Sequence, residues 1–391
     1  MTNKLLIVIP DVIPTVEIIV RTLKHLGSHY QLNVVLASKV RIQDILSDEY
    51  LLLFIRICDP SFKPILNLMK QYKIKYYYYL DDNFWELGKG KGALAECYAN
   101  PQLIKTLNGF IRHAHLVITG SENLKKYMLT KNQNIISMKA AFDFALIDHL
   151  PKEPKSEKVK ILYSGSLYRE QDFSLVIPAL KRILHEYREK AVIYFNGFVP
   201  AELKTYANVV YDENFYPYDC YIKKQYQMNY DIGIAPLHNG LSSQAKSNLK
   251  YREYGACGIA GIYSNIPPYA DCITHGENGL LVEHDEEAWY QALSELIIDK
   301  HLRDKMSLNA FDDVRANYNH GRIAEDWRQQ FHSISKRRGQ KTVTLMRCFS
   351  IKIEQKLLSV KYKMKRAGDY YKEYGLNYTC RKIVRNIWSR L

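Results

Sequence analysis

Short apolar runs alternate with amphipathic helical patterns from the start of the chain through residue 138, and this restricts the fold to a narrow class. Residues 4–10 and 32–37 have the pattern of strands, and residues 15–26 between them have apolar positions at helical spacing. Strands that alternate with helices predict βαβ units and a parallel sheet. In such sheets, ligands bind beyond the carboxyl ends of the strands.

A polar stretch, residues 151–158, interrupts this alternation and has the Pro and Lys content of an interdomain linker. The alternation then restarts at Val159, and 391 residues are too many for one ordinary domain. We therefore predict an α/β protein with two doubly wound, Rossmann-like domains that face one another across a cleft. The predicted segments are an N-terminal domain (1–150), a C-terminal domain (151–335) and a basic helical tail (336–391).

Residues 246–258 form the most informative segment for function. Their pattern predicts a helix that begins after Ser247 as its N-cap and ends at Gly258. It places Lys246, Lys250 and Glu253 on one face. The free N–H groups and the dipole of a helix start favour a phosphate, and the two lysines add positive charge. A carboxylate roughly 5 Å further along the helix can hold ribose hydroxyls. The alternative is an exposed helix in which these residues only form ion pairs.

The chain from this helix onward carries a family resemblance. Residues 253–264 read EYGACGIAGIYS, and residues 273–282 read ITHGENGLLV. Both segments resemble the GT-B glycosyltransferases of family 4 (group 1), in particular those that build bacterial surface polysaccharides such as O-antigen or capsule. The resemblance implies the GT-B fold, a nucleotide-sugar donor held by the C-terminal domain, and Glu253 as the contact to the donor ribose. It also implies retention at the anomeric carbon and no metal or other cofactor.

Three positions depart from the pattern of that family. Ala245 stands where the family has the first of two Glu residues spaced i, i+8. Ser166 and Gln171 stand where it has two cations that bind the diphosphate. Arg169 in the same loop can replace one of these cations, although it can also be a solvated loop residue.

The predicted donor site combines the loop after the strand at residues 159–164 with the start of the helix described above. Its binding residues are predicted to be Gly165, Ser166, Arg169, Lys246, Ser247, Lys250 and Glu253.

Two carboxylates, Asp81 and Asp82, follow the strand pattern of residues 74–80. A carboxylate at the carboxyl end of a strand can deprotonate or orient an acceptor hydroxyl, so we predict Asp81 and Asp82 as catalytic residues. Two alternatives remain. Asp82 can cap the following turn, or the pair can mimic the metal motif of GT-A transferases, against which the two-domain pattern argues.

The positive charge of the chain is concentrated in its tail. Residues 336–391 hold 16 Lys/Arg and 3 Asp/Glu, which is +13 of the net +14 of the whole chain. A nucleic-acid-binding protein usually spreads such charge over its folded body, so nucleic acid is not predicted as a partner. Residues 343–390 contain basic amphipathic stretches that predict an anionic membrane surface as a partner. The alternative is a helix that packs on the body or on another protein.

The location of the protein follows from two absences in its sequence. No run of 18 apolar residues is present, so no transmembrane helix is predicted. The seven cysteines are scattered without a CxxC pair, so we expect neither a disulfide framework nor a zinc site. We predict a cytoplasmic protein that is peripheral at the inner face of the membrane.

These patterns together predict a metal-independent, hexosyltransferase-type enzyme. It would move a sugar from a nucleotide-sugar to a lipid-linked surface glycan. One rival is another GT-B enzyme, such as a nucleotide-sugar epimerase or a glycogen-type phosphorylase. A second rival is a non-catalytic GT-B-like protein that binds a partner, which the departures at Ala245, Ser166 and Gln171 favour.

Overall fold

The chain folds into two compact units. The computed structural model describes residues 3–90, 93–165, 170–174, 176–214, 216–331, 350–360 and 364. One unit contains the described residues up to Met138 and from Trp327 onward, and the other contains those from Lys139 to Asp326. We call them the first and the second unit.

The first unit is built on a parallel sheet of six strands with helices in the connections. Its strands are β1 (Asn3–Ile9), β2 (Tyr30–Leu36), β3 (Tyr50–Ile55), β4 (Tyr77–Leu80), β5 (Leu116–Thr119) and β6 (Ile135–Ser137). Their order across the sheet is β2-β1-β3-β4-β5-β6. The helices are α1 (Pro14–Lys24), α2 (Ile42–Leu46), α3 (Lys63–Gln71), α4 (Phe84–Leu87), α5 (Ala93–Tyr98), α6 (Pro101–His113) and α7 (Glu122–Met128).

The run of four tyrosines at residues 76–79 is a buried part of this sheet. All four side chains are buried, and a buried tyrosine needs a partner for its hydroxyl. The hydroxyls of Tyr76 and Tyr78 donate to backbone carbonyls of the same unit at 2.8 and 3.1 Å. The hydroxyl of Tyr77 donates to the carbonyl of Gln330 at 3.0 Å. This contact ties the end of the last helix before the tail to the first sheet.

The second unit repeats this architecture. Its strands are β7 (Val159–Gly165), β8 (Ala191–Gly197), β9 (Val209–Asp212), β10 (Ile232–Ala235), β11 (Ala260–Ser264) and β12 (Leu280–Val282). The helices are α8 (Glu170–Phe173), α9 (Ile177–Glu186), α10 (Tyr218–Gln227), α11 (Leu241–Gln244), α12 (Leu249–Cys257), α13 (Glu286–Ile298) and α14 (Lys300–Asn317). A further helix, α15 (His320–Phe331), begins in this unit and ends in the first.

The strand order of the second sheet identifies where a ligand would bind to it. The order is β12-β11-β10-β7-β8-β9, with all neighbours parallel. Numbered within the unit, this is the Rossmann order 3-2-1-4-5-6, in which the direction of winding reverses between the first and the fourth strand. The reversal falls between β7 and β10. The prediction of two doubly wound α/β domains is therefore confirmed.

The compact units divide the chain at places other than residues 150 and 335. Residues 139–150 belong to the second unit, where the N–H of Phe142 donates to the carbonyl of Tyr318 at 2.7 Å. The chain re-enters the first unit within α15, because Trp327 packs on the ring of Tyr79. Tertiary contacts thus assign the two connecting segments to the units, and composition does not.

The tail is helical where the structure describes it, at residues 350–360 and at Met364. The rest of the predicted amphipathic stretch at 343–390 lies outside the described residues. In the described part of the chain, every helix is too short or too polar to pass through a bilayer.

Candidate functional site

The candidate donor site lies at the carboxyl edge of the second sheet. This edge is where doubly wound sheets bind their ligands, next to the strands at which the winding reverses. β7 ends at Ser164 and Gly165, and the loop after β10 leads through α11 to α12. Side chains from β7, α10 and α12 meet there through hydrogen bonds.

Helix α12 is almost entirely enclosed. Every residue from Tyr251 to Cys257 is buried, so the alternative of an exposed helix is wrong. A left-handed Gly258 (φ 68°) ends the helix, as the pattern predicts, because glycine adopts this conformation without a steric cost.

The start of α12 differs from the prediction. The N-cap residue is Asn248 and not Ser247, and its side chain makes no capping hydrogen bond. Instead, the Asn248 amide donates to the hydroxyl of Tyr318 at 3.0 Å and accepts from Nε of Arg252 at 3.1 Å. Tertiary partners therefore replace the local capping that the sequence suggests.

Lys250 and Glu253 form the centre of the candidate site. Nζ of Lys250 lies 2.6 Å from Oε2 of Glu253. The same ammonium donates to the hydroxyls of Ser164 at 3.2 Å and Tyr221 at 3.1 Å. The Glu253 side chain is 1% exposed and that of Lys250 is 21% exposed. Lys250 is therefore the member of the ion pair that an anion can reach, and Glu253 holds it in place.

Two tyrosines complete the surroundings of Glu253. The hydroxyl of Tyr221 lies 3.2 Å from Oε2 of Glu253 and donates to the Gln225 amide oxygen at 2.5 Å. Burial and the charge of Glu253 raise the pKa of Tyr221 and of Tyr218 well above the ordinary value. Both hydroxyls therefore stay protonated, and the single proton of Tyr221 is available to the Gln225 amide oxygen or to the Glu253 carboxylate.

The structure brings part of the predicted donor site together. Lys250 and Glu253 are joined to Ser164, which directly precedes Gly165. Lys246 and Ser247 are partly buried in the segment between α11 and α12. Ser166 and Arg169 lie outside the described residues. Tyr221, which binds four side chains of this site, was missed because α10 carries no motif that marks it.

A second group at the same edge was not predicted from the sequence. Oδ1 of Asp172 accepts hydrogen bonds from the backbone N–H of His238 at 3.0 Å and from its Nδ1 at 2.8 Å. Ser243 Oγ lies 3.2 Å from the same Nδ1. Asp172 lies in the short helix α8 after β7, and His238 lies in the loop after β10, so these contacts join the two connections at the reversal of the sheet. A position shortly after a strand is the only signal that the sequence offers for either residue.

The first unit has its own polar cluster, around the predicted catalytic residues Asp81 and Asp82. Nη1 of Arg56 contacts Oδ1 of Asp81 and lies 3.1 Å from Oδ2 of Asp82. Arg56 follows β3 and has a φ of 54°, a left-handed conformation that is uncommon outside glycine. Strained residues of this kind persist where the surrounding structure over-determines them and are frequent at functional sites.

Burial and ion pairing set the charge of the two carboxylates. Burial, together with the negative charge of Asp82, raises the pKa of Asp81, while Arg56 and a hydrogen bond from Thr15 oppose the shift. Asp82 is partly exposed. Asp82 does not cap the next turn with its side chain, since Asn83 accepts the N–H of Glu86 in that role. Asp82 is therefore the carboxylate of the pair that is open to solvent.

The polar groups of the two units offer no preformed metal site in the described part of the chain. Among these residues, no three His, Cys, Asp or Glu side chains lie together in a way that could hold a metal ion.

Comparisons with solved structures define the class of the fold. The chain resembles Anabaena HepE in complex with UDP and glucose (12% identity, 84% of this chain and 99% of that chain, TM-score 0.60). It also resembles sucrose-phosphate synthase from Thermosynechococcus elongatus (12% identity, 85% of this chain and 98% of that chain, TM-score 0.62). A third likeness is to a glycosyltransferase from Rickettsia africae (14% identity, 85% of this chain and 98% of that chain, TM-score 0.56). At these identities the likeness shows a shared fold, and the fold is GT-B.

The part of the chain that matches a family model lies in the second unit. Residues 158–299 match the family model described as glycosyl transferases group 1. The match includes residues 253–282, so the family resemblance of that segment is confirmed, and the segment lies in a chain whose fold is GT-B. No curated protein matches the chain by sequence. Its placement in O-antigen or capsule synthesis stays a prediction.

Proposed function

We propose that this protein transfers a sugar from a nucleotide-sugar donor to a lipid-linked surface glycan with retention at the anomeric carbon. The observation that carries the proposal is the Lys250–Glu253 site at the reversal of the second sheet. Residues 158–299, which match the group 1 family, contain every member of that site. HepE, which shares the fold, is described in complex with UDP and with UDP-glucose, so uridine donors are the first to test.

In this proposal, Lys250 stabilises the diphosphate as it leaves. Negative charge develops on the leaving group, and a positioned ammonium lowers the energy of that state. Contacts to Ser164, Tyr221 and Glu253 restrict the ammonium before the donor arrives. Less ordering is then needed on binding. The role of Glu253 at the donor ribose rests on the family resemblance, and the carboxylate would hold the ribose hydroxyls and Lys250 together.

The first unit would bind the acceptor near Asp81 and Asp82. The two carboxylates share one guanidinium, so their cluster keeps a net negative charge when both are ionised. Asp82 is the exposed member and would orient or deprotonate the acceptor hydroxyl. Arg56 is the residue that positions it.

Calorimetric titration of the full chain with UDP, GDP and dTDP tests the donor site. We expect at least one nucleoside diphosphate to bind. Lys250→Met should then lower the affinity for that nucleotide by about 10- to 100-fold, the range for the loss of a hydrogen bond to a charged group. Lys300→Met, at an exposed lysine of α14 in the same unit, is the matched control and should bind as the wild type does. No binding to any of the three by the wild-type protein would refute the proposal.

Product analysis separates transfer from the rival activities. With the donor chosen by titration and a lipid-linked glycan, we expect a glycosylated lipid whose anomeric configuration matches that of the donor. An epimerised sugar nucleotide would identify the epimerase instead, and binding without any turnover would identify the non-catalytic alternative. The reaction is proposed to need no metal, so the transfer rate should be the same in EDTA and in Mg²⁺ or Mn²⁺. A rate that is lost in EDTA and restored by metal would contradict this part.

We further propose that the tail binds the anionic inner face of the cytoplasmic membrane, which would place the enzyme at a lipid-linked acceptor. The helix at residues 350–360 and Met364 exposes four apolar side chains at helical spacing, namely Ile353, Leu357, Val360 and Met364. Exposed Lys352 and Lys356 lie beside them. The tail as a whole carries 16 Lys/Arg against 3 Asp/Glu. Apolar side chains flanked by lysines are the chemistry that an anionic lipid surface attracts.

Co-sedimentation of the full chain with vesicles tests the tail. We expect binding to vesicles that contain about one-third phosphatidylserine and none to pure phosphatidylcholine. The double variant Lys352→Glu/Lys356→Glu should bind at least about 30-fold more weakly, since each basic residue near such a surface contributes about 1 kcal/mol. Leu357→Ser should also weaken binding, whereas Leu308→Ser, at an exposed leucine of α14, should not. Equal binding by all of these variants would contradict the proposal.

A further inference from the structure

The imidazole of His238 is held in a fixed orientation by the rest of the second unit. Asp172 accepts from both its backbone N–H and its Nδ1, at 3.0 and 2.8 Å. Asp172 and Ser243 are themselves buried. A carboxylate that accepts from Nδ1 fixes which ring nitrogen faces outward. The outward nitrogen of His238 is therefore Nε2.

Nε2 of His238 is open to a ligand. The His238 side chain is 32% exposed, and no described residue forms a hydrogen bond with Nε2. The backbone next to it leaves no room for a side chain, because a Cβ on Gly240 would lie 2.7 Å from Nε2. The N–H of Gly240 donates to the carbonyl of His238 at 2.9 Å and keeps the loop close to the ring. The imidazole is thus held in place through Nδ1, and Nε2 stays uncovered because Gly240 carries no side chain.

The place of this ring in the sheet matches the place of a donor diphosphate. Asp172 lies in α8, after the loop that follows β7, and His238 lies in the loop after β10, so the ring stands at the reversal point. Lys250 stands at the same edge, but Glu253 balances its charge at 2.6 Å. A diphosphate carries several negative charges, so a further donor is needed beside this neutral pair.

We propose that His238 binds an oxygen of the second phosphate of the donor, the phosphate that carries the sugar, through Nε2–H. The ring is then protonated on both nitrogens, and the carboxylate of Asp172 balances its charge. Hydrogen bonds from an imidazolium to a phosphate are charge-assisted and stronger than neutral ones. Asp172 acts as the positioning residue. The inference rests on the proposed function, since it requires a nucleotide-sugar at this edge.

The test compares a nucleoside diphosphate with its monophosphate in calorimetric titrations of the full chain, using UDP and UMP. If the wild type prefers GDP or dTDP, that pair replaces them. We expect His238→Ala to lower the affinity for the diphosphate by about 10- to 100-fold. The affinity for the monophosphate should change by less than threefold. His301→Ala, at an exposed histidine of α14, is the matched control and should change neither. Gly240→Ala keeps His238 but crowds Nε2. It should therefore also lower the affinity for the diphosphate more than that for the monophosphate.

The outcomes distinguish this inference from the proposed function. If the wild type binds a diphosphate and His238→Ala leaves its affinity unchanged, the inference is wrong while the donor site stands. Equal weakening of diphosphate and monophosphate would mean that the histidine only shapes the loop, which also overturns it. If the wild type binds no diphosphate, the proposed function fails and this inference fails with it. Should His238→Ala fail to fold, Gly240→Ala decides by the same criteria.

Discussion

The ion pair between Lys250 and Glu253 makes a quantitative prediction about the candidate site. A double-mutant cycle with Lys250→Met and Glu253→Gln isolates the coupling between the two side chains. Both substitutions keep side-chain size close to the native one, so the enclosed helix α12 should retain its packing. The cycle therefore reports on charge rather than on a cavity.

The geometry sets the size of the expected effect. The atoms Nζ and Oε2 are 2.6 Å apart, and at an effective dielectric constant of about 20 two unit charges at such a distance attract by about 6 kcal/mol. The cost of removing the carboxylate of Glu253 from water offsets most of this attraction, because its side chain is 1% exposed. We expect a coupling free energy of about 2 kcal/mol, typical of a hydrogen bond between charged groups. Glu253→Gln alone should lower the free energy of unfolding by about 3 kcal/mol, since it leaves an ammonium without its counter-charge.

Urea denaturation followed by circular dichroism measures these free energies. The matched control is the cycle on Lys300 and Asp304, an exposed helical pair. Its lysine precedes the acid along the chain, as Lys250 precedes Glu253. Exposed pairs of this kind couple by about 0.3–0.5 kcal/mol. A coupling at Lys250 and Glu253 no larger than that of the control would refute the reasoning, because it would show that burial does not strengthen the pair.

Four further predictions test other parts of the structure. Tyr221→Phe should lower the free energy of unfolding by about 1–3 kcal/mol and weaken diphosphate binding, since its hydroxyl joins four side chains of the site; unchanged urea midpoints and affinities would contradict this. Arg56→Leu should lower the free energy of unfolding, measured by urea denaturation, by about 3–5 kcal/mol, because it leaves buried Asp81 without its cation. Gly258→Ala should cost about 1 kcal/mol at its left-handed position, whereas Gly90→Ala, where φ is not positive, should cost less. Burial raises the pKa of Asp81, so the folded protein keeps this proton at pH values where the unfolded chain has lost it. The contribution of Asp81 to the free energy of unfolding then falls as pH rises from about 4, and Asp81→Asn should remove that slope from urea midpoints measured across the pH range.

The fold class could be predicted because periodicity is a local property of the chain. Each strand of a parallel sheet is a short apolar run and each connection is a helical pattern, so their alternation indicates βαβ units. The short helices α2 and α4 were not predicted, since four or five residues are too few to show a helical period. Gly258 was placed correctly for a similar reason, because the end of a helix depends on the conformation of one residue.

The candidate site, too, has contacts that the sequence predicts and contacts that it does not. Lys250 and Glu253 are three residues apart on one helix, so their spacing alone predicts that they meet. The N-cap at Ser247 was wrong because Asn248 is tied to Tyr318, 70 residues away in the sequence. Similar long-range contacts bring Ser164 to Lys250, which are 86 residues apart, and Asp172 to His238, which are 66 apart.

The sequence by itself therefore determined the α/β class, the repetition of a doubly wound unit and the helix that carries Lys250 and Glu253. Only the tertiary structure decided which partners complete the site. The order of strands in a sheet brings together loops that are distant along the chain, and a hydrogen bond between two such loops has no spacing that a linear pattern can show. The enclosure of Glu253, the contacts of Tyr221 and the fixed imidazole of His238 all depend on that order.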